Sequence, residues 1–198
     1  MSKPRSQPPP PVKTKTNKVS GRGWLTEQEV KALISAAKSV GRCTHRDSTM
    51  ILLAFRHGLR CTEVVNLVWD QIHLDKAAIE MRRFKRGKPA MHELTKTEIR
   101  ALKKLPGART RKGLVFTTED GHKLGERSFH LIVARAGKLA DLGFPTHPHM
   151  LRHACGHYLA GKGFDTRRIQ DYLGHVKIEH TVLYTQLAPG RFTGFFED

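Results

Sequence analysis

The stretch 147-HPHMLRHACGH-157 sets four histidines, a cysteine and an arginine within eleven residues. His149, His153 and His157 recur every four residues, so on a helix they form one stripe. Neutral imidazoles at that spacing can share a zinc ion. The neighbouring residues argue against it. A hydrolase helix of the H-E-x-x-H type carries a glutamate beside its first histidine, and Met150 and Ala154 stand after His149 and His153. No acidic residue falls between His147 and His157, and Cys155 points off the stripe. Arg152 sits among the would-be ligands, where a guanidinium charge opposes a dication. Neither a metal nor a cofactor is expected. Arg152 suits an anion better. With His149 three residues before it, it shares a face in the first turns of a helix, where free N–H groups and the dipole favour negative charge. A planar guanidinium matches two phosphate oxygens, and a histidine beside it can donate a hydrogen bond or move a proton. Taken alone, the pair reads equally as two ordinary surface residues.

The surrounding sequence supplies elements to position them. Thr146 and Pro148 open a helix that carries the stripe to about Gly161. Earlier, Thr26 with Glu29 three residues on makes a capping box, and Val30, Leu33, Ile34 and Ala37 keep helical period behind it. Further helices are expected over 48–58, 62–69, TKTEIRALKKL, 126–143, DTRRIQDYLG and 179–187, with Asp165 and Gly174 as caps of the DTRRIQDYLG helix. Residues 77–85 and 88–94 read as two strands with a basic turn at Lys85-Arg86-Gly87, and GLVFTT reads as a third. The fold class is mainly α with a small antiparallel β-sheet, an α+β domain over 24–198, preceded by a flexible arm over 1–23.

That arm holds a polyproline run, six Lys or Arg and no acidic residue, so it cannot bury enough apolar surface to fold alone. It reads as a solvated tail, as a basic segment that tracks phosphates, or as both. Over the 198 residues, 35 Lys and Arg face 18 Asp and Glu, a net charge of +17. Such an excess points to a polyanionic partner, a nucleic acid or an anionic membrane surface. No window reaches the ~18 apolar residues of a membrane span, and no signal-peptide core is seen near Met1. Cys43, Cys61 and Cys155 are odd in number and widely spaced, which suits a reducing cytoplasm. Double-stranded DNA becomes the leading partner.

In chain order the sequence then offers HGLRCTEVVNLVW (57–69), FKRGK (84–88), HPHMLRHACGHYL (147–159), DYLGH (171–175) and VLYTQ (182–186). This order resembles the tyrosine recombinases of the lambda-integrase family, whose catalytic domain carries Arg…Lys…His-x-x-Arg…His…Tyr. The likeness runs from Trp24 onward, and His175 precedes Tyr184 by nine residues as the family's pattern requires. Within the family, the runs HPHMLRHACG, DTRRIQDYLGH, HTVLYT and GRF look most like the short recombinases that invert the fimbrial phase-variation switch. The resemblance implies the tyrosine recombinase catalytic-domain fold and a role for each matching residue. Arg60, braced by Glu63, and Arg152 would hold the non-bridging phosphate oxygens. Lys85 would protonate the 5′-oxygen leaving group, with Lys88 as its alternative on the same hairpin. His149 would act as acid, base or hydrogen-bond partner, His175 would bind the phosphate, and Tyr184 would form a 3′-phosphotyrosine. Tyr158 and Tyr172 are expected in the core with Trp69, His153 and His157 as scaffold, and His45, His57, His73, His92 and His122 without a role.

The implied activity is site-specific recombination of DNA without cofactor, by a homotetramer on two sites, with DNA-bending accessory proteins as possible partners and a bacterial or phage cytoplasm as its place. A DNA-binding regulator on the same scaffold, a type IB topoisomerase and a metal-dependent nuclease are the competing readings. Many family members carry a further helical domain where this chain has its basic arm, which leaves open how it encircles DNA. Phe192, Phe195 and Phe196, in the tail 188–198, could pack on a neighbouring protomer or on their own domain.

Overall fold

The computed structural model describes residues 22–82 and 89–186. The turn with Lys85 and Lys88, all but the last two residues of the basic arm and the tail 188–198 lie outside them. Among the described residues the domain is α+β, as the sequence implied: eight helices around one three-stranded antiparallel sheet.

Local chemistry explains where most helices begin. Helix α1 (Glu27–Ser39) starts on the expected capping box: Glu29 N–H donates to Thr26 Oγ1 at 3.2 Å, and Thr26 N–H donates back to Glu29 Oε2 at 2.8 Å. Helix α2 (Thr44–Arg56) starts four residues before Ser48, the expected first residue. The early start places Asp47 in the first turn, where its buried carboxylate takes Arg46 at 2.7 Å and Arg135 at 2.8 Å. Helix α3 (Cys61–Val65) stops short of Trp69. Backbone bonds to a distant segment draw the chain off the helix: Trp69 N–H donates to Gly113 O at 2.9 Å and Val115 N–H to Leu67 O at 2.8 Å.

A 3-10 turn, Trp69–Gln71, then leads into the short strand β1 (Ile72–His73), which the sequence reading lacks. Strands β2 (Ala78–Met81) and β3 (Ala90–Glu93) complete the sheet in the order β1-β2-β3, with Ile79 opposite both Ile72 and His92. Along β2, Ile79 and Met81 alternate inward with period two. GLVFTT forms no strand; it touches its neighbours at two isolated bridges, Val68↔Leu114 and Thr117↔Lys123. Its sequence suits a strand, but the partner at Val68 turns into the 3-10 helix after one pair.

Helix α4 (Lys96–Lys103) has a second capping box, Thr95 with Glu98. Helix α5 (Glu126–Leu139) ends where Asp141 and Gly143 take left-handed φ values of 50° and 72°. Helix α6 (Pro148–Gly161) carries the histidine stripe, α7 (Thr166–Leu173) runs between Asp165 and Gly174 as expected, and α8 (Glu179–Gln186) crosses α6. The core joins Trp69, Phe116 and Phe129 with the inner faces of α1, α2 and α6. Each fully buried large apolar side chain there contributes about 2–3 kcal/mol.

Candidate active site

Arg60 is the N-cap of α3, at a corner the chain can turn because Gly58 adopts φ +57°. A Cβ at Gly58 would stand 2.3 Å from the Leu173 side chain, so the corner also lies directly on α7. Buried Glu63 grips Arg60 twice, taking its backbone N–H at 2.9 Å and its guanidinium at 2.9 Å. This is the bracing the sequence suggested, and it leaves the arginine half-buried at the helix entry.

Arg152 ties the same corner to α7. Its Nη1 donates to the Gly58 carbonyl and its Nη2 to the Leu173 carbonyl at 2.8 Å. Arg152 is 2% exposed, so α6 holds a charged plane between the two segments that lead to Arg60 and His175. His149, one turn earlier, is exposed on that face. Partial desolvation pushes its pKa down, and the nearby charges of Arg152, His147 and Arg60 push it further. His175 leaves the left-handed turn at Gly174, pinned by backbone and side-chain bonds with Gln170 at 3.0 Å, and its Nδ1 meets Thr181 Oγ1 at 2.9 Å.

Tyr184 lies on α8 with its ring near-parallel to His175, centroids 6.2 Å apart and planes at 26°. It is 1% exposed. Its hydroxyl is 2.9 Å from His153 Nδ1, and its ring lies so close over Gly156 that a Cβ there would stand 2.5 Å away. His157 meets the ring edge-on at 5.1 Å and is itself stacked on Trp24 at 4.2 Å. Burial pushes the phenol up to about 12 against the lowering pull of Arg152. Burial also pushes the His153 imidazole down to about 4, with help from His149, His157 and Arg152. A base that weak does not take a proton from an acid that weak, so in this arrangement the two share a hydrogen bond without proton transfer.

Of the six residues expected to do chemistry, Arg60, His149, Arg152, His175 and Tyr184 thus converge on one side of α6, and Lys85 lies outside the described residues. His153 and His157 serve as scaffold, as expected, and what they support is the tyrosine: they are the walls of its seat. Their stripe was visible in the sequence; the crossing of α8 over Gly156 was not. His57 and His92 also have a place. Both are buried, His57 Nε2 is 2.9 Å from Glu98 Oε1, the two Nδ1 atoms are 3.2 Å apart, and His92 stacks on Tyr172 at 3.8 Å. Tyr172 reaches past the core to donate to the Arg56 carbonyl at 2.9 Å. As for the metal reading of the stripe, no cluster of three or more potential ligands able to hold an ion occurs among the described residues, and His153 Nδ1 is taken by Tyr184.

A helical domain with two arginines, two histidines and a tyrosine gathered around α6 has the form of a tyrosine recombinase catalytic domain. Comparison with known proteins agrees. Residues 23–191 match the model of the phage integrase family. The chain is 40% identical to the type 1 fimbriae regulatory protein FimE of Escherichia coli strain K12, covering 90% of this chain and 93% of that one. It also superposes on the crystal structure of the XerA recombinase with a TM-score of 0.73 and 26% identity, over 85% of this chain and 61% of that one. The XerH site-specific recombinase bound to its difH substrate shares the fold, with a TM-score of 0.71 and 22% identity over 83% of this chain and 50% of that one. The chain belongs to the phage integrase family. Its activity is that of a tyrosine-type site-specific recombinase, the breakage and rejoining of DNA strands.

Proposed function

We propose that Tyr184 is the nucleophile of this recombinase and that Arg60, Lys85, His149, Arg152 and His175 form the phosphate site around it. The observation that carries the reading is the convergence of Arg152 and His175 on Tyr184, with His149 within the fields of both arginines. In the reaction, the Tyr184 oxygen bonds to the scissile phosphorus as the bond to the 5′-oxygen breaks. Arg60 and Arg152 neutralise the charge that builds on the non-bridging oxygens, where fixed cations need no reorganisation. Lys85 delivers a proton to the departing 5′-oxygen, and the phenol proton leaves to His149 or solvent. The resulting 3′-phosphotyrosine keeps the free energy of the phosphodiester, so a 5′-hydroxyl of another strand restores the backbone and releases the tyrosine without ATP.

The same reading extends to the assembly. DNA is the substrate, two sites are brought together by a homotetramer, and DNA-bending proteins assist. Inversion of a segment, as in fimbrial switches, is the proposed outcome, supported by the likeness to FimE over nearly its whole length. A bacterial or phage cytoplasm is the proposed place. Residues 24–198 form the proposed catalytic domain, 1–23 a basic arm that follows the DNA backbone, and 188–198 a tail that packs on a neighbouring protomer.

The test is a nicked suicide substrate built on a site selected from random DNA by the purified protein. An SDS-resistant adduct formed in EDTA and absent in Tyr184→Phe is the expected result. One observation favours a silent regulator instead: the phenol is buried and its oxygen engaged. Tight, sequence-specific binding with no adduct on any selected site would establish that alternative, and cleavage abolished by EDTA would point to a nuclease.

A further inference from the structure

The tyrosine's surroundings are a resting seat, built on one face of α6 and one residue of the amino-terminal entry. His153 holds the oxygen at 2.9 Å, and Gly156 supplies a floor with no room for a side chain. His157 closes the side at 5.1 Å, backed by Trp24 at 4.2 Å, and Arg22 lies 5.0 Å over the Trp24 ring. An oxygen on a side chain 1% exposed cannot reach a phosphate of DNA lying outside the domain. The phenol has to swing out before it attacks, and the bond it breaks on the way is the one to His153.

We propose that His153 is a positioning residue, a latch that holds the Tyr184 hydroxyl in its resting seat, with His157 and Trp24 as its brace. The inference rests on Tyr184 being the nucleophile. The latch acts through population: the observed rate of covalent attack is the intrinsic rate multiplied by the fraction of molecules with the tyrosine released. Neutral His153 is suited to this, since its Nδ1 hydrogen-bonds the hydroxyl at 2.9 Å and it is too weak a base to ionise the phenol in place. The brace also joins the nucleophile to the root of the basic arm. Trp24 and Arg22 immediately precede the cap of α1, and Trp24 stacks on His157.

Three substitutions in the full chain test this: His153→Leu, which removes the hydrogen-bonding partner; His153→Asn, which keeps a polar group near the Nδ1 position; and Trp24→Leu, which removes the brace without touching the hydroxyl. The first measurement is acetylation of Tyr184 by N-acetylimidazole in the DNA-free protein, read by peptide mass spectrometry. The second is the single-turnover rate of adduct formation on the suicide substrate at saturating protein. His153→Leu is expected to raise acetylation of Tyr184 about three- to tenfold and to speed adduct formation severalfold, with DNA affinity unchanged. His153→Asn is expected to restore protection, and Trp24→Leu to raise acetylation by a smaller factor. Unchanged acetylation in both Leu variants overturns the latch, as does a fall in adduct rate in a His153→Leu protein whose tyrosine has become reactive. If His153→Leu does not fold, Trp24→Leu decides: raised acetylation supports the seat and unchanged acetylation overturns it. Acetylation that rises as expected with no adduct from any variant or from the unaltered chain sinks the nucleophile assignment instead.

Discussion

Arg152 is the residue on which most of the geometry turns. Its guanidinium is buried and donates to the carbonyl oxygens of Gly58 and Leu173, which anchor it. The orientation of the guanidinium is thereby set by the ends of α2 and α7 at once. Lysine cannot reproduce that fork. Arg152→Lys is expected to lower the single-turnover adduct rate by about 100-fold or more, the scale of removing one preorganised donor from a developing negative charge. It also leaves one buried carbonyl unbonded, so thermal unfolding should show a loss of about 1–3 kcal/mol. A rate within threefold of the unaltered chain would mean that Arg152 is an anchor with no part in the chemistry. Gly156 makes a second residue-scale case. Its Cβ position is 2.5 Å from the Tyr184 ring, so Gly156→Ala forces ring or helix to move. Overpacking of that kind costs about 1–3 kcal/mol, and urea unfolding should report it.

At the scale of elements, the corner before α3, which carries the proposed phosphate ligand Arg60, is held from several sides. Arg56, His57 and Gly58 link α2 to that corner, and side chains of four elements hold them: Arg56 by Tyr172 of α7, His57 by Glu98 of α4 and His92 of β3, and Gly58 by Arg152 of α6. None of this was legible in the sequence. The helices were, because capping residues and apolar period are local signals; so was the order of the site residues. What escaped was tertiary. His57 and His92 are 35 residues apart and owe their meeting to the β2–β3 register. Asp47 starts α2 early because Arg135 lies across from it, and GLVFTT has strand composition but loses its partner to the 3-10 turn. The His57–Glu98 pair makes a prediction. Burial raises the Glu98 carboxyl, but the His57 ring and the Thr95 bonds outweigh it and hold the group below its ordinary 4.5. Its contribution is therefore complete above pH 4.5 and is lost as pH falls through the lower folded value. Glu98→Gln should cost about 1–3 kcal/mol at neutral pH, because it weakens buried hydrogen bonds to His57 and Thr95. The difference from the unaltered chain should shrink in acid. A difference that stays constant from neutral pH down to the acid limb of unfolding would show that the pair adds nothing through charge.

The whole molecule carries a net charge of +17, and no described helix is long and apolar enough to cross a membrane. With DNA as the substrate, that excess sets both affinity and its salt dependence. Each phosphate neutralised releases condensed counterions, and log Kobs falls with log salt at about −0.9 per contact. Residues 1–23 hold six Lys or Arg and no acid, and Arg22 is engaged with Glu29 and Trp24 of the domain. Five cations of the arm, at Lys3, Arg5, Lys13, Lys15 and Lys18, then remain to follow the backbone. If they do so, removing residues 1–21 should flatten the salt slope by as much as about 4, measured by fluorescence anisotropy on a selected site across a salt series. Discrimination between selected and scrambled DNA should hardly change, since phosphate contacts carry no sequence information. The deletion leaves Arg22 and Trp24 in place, so protection of Tyr184 from acetylation in the absence of DNA should also stay as it was. A slope unaltered by the deletion would confine DNA contact to the domain and leave the arm as a solvated tail.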